Sequence, residues 1–74
     1  MKKQSEAEIR RCLAVRIAAV RRAKHWTQQT LAERSGVPRS YIADLEGERR
    51  NPSIATLLRI ANGLEISLAE LFRT

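Results

Sequence analysis

Arg39, Ser40, Tyr41 and Asp44 lie close together in the chain, and Arg49, Arg50 and Asn51 follow a few positions on. Side chains of these types suit the edges of base pairs and the phosphates beside them. A guanidinium can donate two hydrogen bonds to guanine O6 and N7, a contact worth roughly 1–3 kcal/mol of discrimination between bases. A serine hydroxyl reads either donor or acceptor edges, and the carboxylate of Asp44 can accept from cytosine N4 or simply face water. Tyr41 suits a sugar and phosphate contact, a methyl contact with thymine, or packing at a helix edge. Arg49, Arg50 and Asn51 are residue types that hold phosphate, the alternative being a solvated basic loop.

Such chemistry needs an element that delivers it. The stretch from Thr27 to Glu46 reads as two short amphipathic helices joined at Gly36, with Leu31, Val37, Ile42 and Leu45 as the apolar residues that the two bury against each other. This is a helix-turn-helix pattern. With Ile42, Leu45 and Glu46 facing inward, the second of these helices presents Ser40, Ala43, Asp44 and Gly47 outward, flanked by Arg39 and Tyr41. A helix of this kind enters the major groove near its N-terminus, which singles out Arg39 and Ser40 for base edges.

Five helical segments and no alternating strand pattern predict a compact all-α fold of five helices. Ser5 and Glu8 form a capping box for a first helix over about residues 6–24, whose stripe is Ile9, Leu13, Ile17 and Val20. Thr27 caps the second helix, where Thr30 stands in the place of the Glu or Gln of a capping box. Pro38 starts the third, and the fourth runs from the Ser53 cap through Ile54, Leu57, Leu58 and Ala61 to a left-handed stop at Asn62-Gly63. Ser67 and Glu70 form the box of a short fifth helix. The 74 residues are expected to make a single domain, with residues 1–5 as a flexible arm.

The net charge of +6 and a pI near 10.8 point to a polyanionic partner. That surplus lies in residues 1–25, where eight Lys or Arg face only Glu6 and Glu8. A solvated face or an anionic membrane surface would also suit a basic helix, but its apolar stripe is needed for the core. One His, one Cys and scattered carboxylates offer no metal cluster or nucleophile with its base, so no enzyme, cofactor or metal is expected. Cys12 cannot form an internal disulfide and fits a small packing position at the stripe's edge. With no membrane-spanning or signal-peptide run, a cytoplasmic protein is expected.

Two charges fall on inner faces. Arg21 follows Ile17 by four residues, and Glu46 follows Ile42 by four. Buried charges need partners, so Arg21 is expected to pair with Glu46 and fasten the first helix to the third. Snorkelling of both side chains to solvent is the alternative. Trp26, beside the second helix cap, reads as core.

The stretches Thr27-Gln28, Leu31-Ala32, Ser35-Gly36-Val37, Arg39-Ser40-Tyr41-Ile42, Leu45-Glu46, Arg50-Asn51-Pro52-Ser53 and Ser67 to Phe72 together resemble the lambdoid-repressor (Cro/C1, XRE) type of helix-turn-helix domain. The resemblance covers about residues 9–73. It implies a phosphate contact for Gln28 and an arginine of the first helix paired with the glutamate closing the third, here Arg21 and Glu46. Within that family, the short length and the Arg39-Ser40-Tyr41-Ile42 run resemble the controller proteins of restriction-modification systems. The sequence departs from the family pattern where glycine is usual, at Glu48 and Glu65, which Gly47 and Gly63 precede by one and two residues, and at His25, where a side chain must tolerate a left-handed backbone.

These readings imply a sequence-specific transcriptional regulator of double-stranded DNA, with no small-molecule ligand evident. One protomer contacts few base pairs, so a homodimer on an inverted repeat is expected, its recognition helices about 34 Å apart. The apolar surplus of Ile66, Leu68, Leu71 and Phe72 is the expected interface, unless these residues close the core of one protomer. The rival reading is an antitoxin or anti-repressor whose main partner is another protein. A fifth helix ending at Thr74 leaves no tail for such a partner, which disfavours it.

Overall fold

The computed structural model describes residues 3–73, which form five helices: α1 (Glu6–Ala23), α2 (Gln28–Ser35), α3 (Arg39–Glu46), α4 (Ile54–Leu64) and α5 (Leu68–Leu71). Positions 1 and 2 of the expected arm lie outside the described residues, as does Thr74. Ser5 is a helix cap and not part of an arm: its hydroxyl accepts from the Glu8 N–H at 3.1 Å. The expected box is only half formed, because the Glu8 carboxylate accepts from the Ser5 hydroxyl at 3.4 Å instead of from the Ser5 backbone.

α1 ends where His25 takes φ 60, a left-handed residue without a glycine. Thr27 then caps α2 by accepting from the Thr30 N–H at 3.0 Å, and the two threonine hydroxyls lie 3.0 Å apart. At the far end of α2, Gly36 takes φ 74 and ψ 14 and returns its N–H to the Ala32 carbonyl at 2.9 Å. Ser35 tightens this turn by donating to the Leu31 carbonyl and accepting from the Val37 N–H. Pro38 precedes α3 with an extended ψ of 143, so it is the cap and not the first helical residue.

α4 continues past Asn62-Gly63, and the expected stop there is corrected. Its left-handed cap is Glu65 at φ 62. Gly63 serves a different purpose: a Cβ on it would stand 2.9 Å from the Cα of Ser35, so the glycine lets α4 cross close to α2. Helical propensity disfavours glycine by about 1 kcal/mol relative to alanine, and packing of the two helices offsets that. α5 is a single turn held by a complete capping box between Ser67 and Glu70.

The core joins all five helices through Leu13, Ile17, Leu31, Val37, Ile42, Leu45, Leu57, Ile60, Ala61, Leu64 and Leu71. The expected α4 stripe splits. Leu57 and Ala61 face inward with Ile60 and Leu64, whereas Ile54 and Leu58 are 68% and 48% exposed. Leu71 is fully buried within one protomer, which removes it from the expected interface. Ile66 and Leu68 pack half-buried on the core, and only Phe72 of that set, at 42%, is exposed.

Candidate nucleic-acid interface

The site rests on one buried ion pair. Arg21, near the C-terminus of α1, donates from Nε to Glu46 Oε2 at 2.8 Å and from Nη2 to Oε1 at 2.9 Å. Its third nitrogen, Nη1, donates to the Trp26 carbonyl at 2.8 Å, so one guanidinium ties α1, the turn before α2 and the end of α3. The side chains are only 10% and 7% exposed. Burial pushes the Glu46 carboxyl up, but hydrogen bonds from Arg21 and Gln28 outweigh it and hold the group below the usual carboxylate range. The Glu46 hydrogen bond holds Arg21 above its ordinary value against burial. Among the described residues no buried side-chain nitrogen or oxygen lacks a partner.

Gln28 belongs to this cluster. At the first turn of α2 its Nε2 donates to Glu46 Oε1 at 3.2 Å, so the amide is oriented by the same carboxylate that holds α3. Trp26 packs half-buried on the core and lies between two cations, Lys24 at 5.2 Å and Arg34 at 5.0 Å from its ring centroid.

With α3 fastened at its C-terminal end, its N-terminal tip projects. Arg39 and Ser40 are exposed and share the first turn of the helix. Tyr41 is half-buried against the core, and its ring lies 4.2 Å from the Arg50 guanidinium. Asp44 has two partners that the sequence did not suggest: Arg49 Nη2 stands 3.5 Å and Arg50 Nη2 3.4 Å from its carboxylate. Arg49 also donates to the Ala43 carbonyl at 3.4 Å. Glu48, at φ 61, makes the left-handed turn that folds both arginines back toward α3.

Asn51 reaches elsewhere. Its Oδ1 accepts from Arg10 Nη1 at 2.8 Å, joining the loop after α3 to the N-terminal half of α1. In the sequence Arg10 reads only as charge on a basic helix. Forty-one residues separate the two partners, a distance that no local pattern spans.

A helix-turn-helix family profile (HTH_3) matches residues 17–71, the segment that contains α2, the Gly36 turn and α3. The chain belongs to this helix-turn-helix family. As such it is a DNA-binding transcriptional regulator by type and not an enzyme. Over 54 residues it is 44% identical to the immunity repressor protein of Bacillus phage phi105, a match covering 73% of this chain and 38% of that protein. It is 34% identical over 64 residues to the control protein C.SmaI of Serratia marcescens, covering 86% of this chain and 76% of that one. The crystal structure of the restriction-modification controller protein C.AhdI from Aeromonas hydrophila superposes with a TM-score of 0.82 at 38% identity, covering 85% of this chain and 96% of that one. The regulator thus spans a little over a third of the phage repressor, about three quarters of C.SmaI and nearly all of C.AhdI.

Proposed function

We propose that this regulator binds an inverted-repeat operator as a homodimer in the cytoplasm, with the tip of α3 in the major groove. The reading is carried by one observation: α3 is fastened at Glu46 while Arg39 and Ser40 stand exposed at its other end. Arg39 donates to a guanine and Ser40 to an adjacent base edge, with Tyr41 and Arg50 at the flank of the groove. Gln28, Arg49, Arg50 and Asn51 supply phosphate contacts, Gln28 from a helix N-terminus that already favours an anion. Asp44 holds Arg49 and Arg50 and reads no base.

Dimerisation through α4 and α5 is supported by the exposure of Ile54, Leu58 and Phe72. Ile54 and Phe72 line one groove with Ile9, Leu13 and Leu57, a surface suited to a second copy. The interface therefore centres on Phe72, Ile54 and Leu58, with Ile66 and Leu68, which pack half-buried on the core, taking a lesser part.

The test is fluorescence anisotropy with duplex DNA from upstream of the protein's own gene beside a scrambled duplex, at about 0.15 M salt. Preference for the native duplex with two protomers per site supports the reading. Equal affinity for both duplexes rejects autoregulation and favours a regulator whose main partner is another protein.

A further inference from the structure

The regulator's surplus positive charge lies in residues 1–25, and apart from Arg21 the recognition reading above leaves the arginines of α1 unused. The structure places part of that charge beside the loop after α3. Arg10 is hydrogen-bonded to Asn51 at 2.8 Å, and Arg11 Nε stands 4.0 Å from Glu48 with its side chain 76% exposed. Arg10, Glu48, Arg49, Arg50 and Asn51 line one shallow concavity. Around it four arginines face only two carboxylates, Asp44 and Glu48, so the surface carries an excess of donors and of positive charge.

We infer that Arg10 and Arg11 form a second phosphate-binding element, which takes the sugar-phosphate backbone of duplex DNA beyond the stretch gripped by the α3 loop. This deepens the proposed function and rests on its assignment of the loop to phosphate. Three features support it. Arg10 comes from α1 and Arg49 and Arg50 from the loop after α3, far apart in sequence, yet these three converge on one concave surface, with Arg11 beside it at Glu48. Asn51 orients Arg10 so that its remaining donors are available, and a guanidinium fork suits phosphate oxygens better than a point charge. Arg11 stands at the marginal ion-pair distance of 4.0 Å from an exposed carboxylate, a contact that offers little resistance to exchange for phosphate.

Arg11→Gln is the main variant, because Arg11 is exposed and its loss should leave the fold intact. Arg10→Gln is the second, and Arg59→Gln, on the exposed side of α4, removes equal charge elsewhere. Each is titrated by anisotropy against native and scrambled duplexes from 50 to 200 mM salt. Each phosphate contact contributes about 0.9 to the slope of log affinity against log salt. Arg11→Gln should therefore lower the slope by about 0.9 on both duplexes, shrinking the affinity ratio between 50 and 200 mM by about 3.5-fold, while the preference between duplexes is unchanged. Slopes for Arg10→Gln and Arg11→Gln equal to that of Arg59→Gln would overturn the inference. Failure of the operator reading is distinguishable, because it removes the preference of the wild type for any duplex while the slope on scrambled DNA still reports the contact. Binding to vesicles of anionic phospholipid that Arg11→Gln abolishes, with an unchanged DNA slope, would also overturn it and assign the surface to a membrane.

Discussion

Replacing Glu46 with alanine isolates what holds α3. The change removes both acceptors of Arg21 Nε and Nη2 and leaves only the bond from Nη1 to the Trp26 carbonyl. A guanidinium only 10% exposed would then be left with most of its charge unpaired. Breaking a buried pair by removing one partner costs about 3–5 kcal/mol, chiefly from the charge left behind. A domain of 74 residues has a total stability of about 4–11 kcal/mol, so the loss is a large share of it. At about 4–8 °C per kcal/mol for a domain of this size, the midpoint of thermal unfolding should fall by about 12–40 °C. Helical circular dichroism during heating measures this directly. Arg21→Met combined with Glu46→Leu should recover much of the loss, since two apolar groups leave no charge unmatched. A Glu46→Ala protein melting within a few degrees of wild type would refute the argument, and so would a double variant no better than the single one.

The same pair predicts a pH dependence. Because the folded Glu46 carboxyl sits below its unfolded value near 4.3, its stabilisation is present above that value and is lost as pH falls through the folded one; urea midpoints should drop more steeply below about pH 5 in wild type than in Glu46→Gln. Arg39→Ala should relax preference at one operator position by a factor corresponding to about 1–3 kcal/mol, read by competition with single-base operator variants. Asp44→Asn should release Arg49 and Arg50 from their shared carboxylate, raising affinity for scrambled duplex and steepening its salt slope by about one, measured by anisotropy. Glu65→Gly should relieve a left-handed backbone that costs about 1–2 kcal/mol, less the extra freedom it gives the unfolded chain, and so raise stability by about 0.5–1 kcal/mol in urea titration.

The features legible in the sequence were those fixed by short periods. Helix count, the Thr27, Ser53 and Ser67 caps and the Gly36 turn all depend on neighbours within four residues. The facing of Arg21 and Glu46 was also legible, because each stood on an apolar stripe where only a partner could explain it. What escaped depended on distant contacts. Asn62-Gly63 carries a local stop signal, but the close approach of Ser35 gave Gly63 a use inside α4. The apolar residues of α4 form too wide a stripe for one core, and only the packed structure separates buried Leu57 from exposed Ile54 and Leu58. The pairing of Asp44 with Arg49 and Arg50 escaped because these partners lie beyond a turn whose left-handed residue is Glu48, where glycine is the usual signal.

The division of labour along α3 bears on how such a protein can change its target. Stability is invested at the C-terminal end, in Leu45, Glu46 and the guanidinium that crosses from α1. On the proposed reading, choice of sequence falls to two solvent-facing side chains at the opposite end, Arg39 and Ser40. Substitutions at Arg39 and Ser40 can therefore explore new operators with little risk to folding, since exposed positions usually shift stability by no more than about 0.5 kcal/mol. The fold separates the part that must persist from the part free to diverge, and a lineage of such regulators could acquire distinct targets by altering only the helix tip.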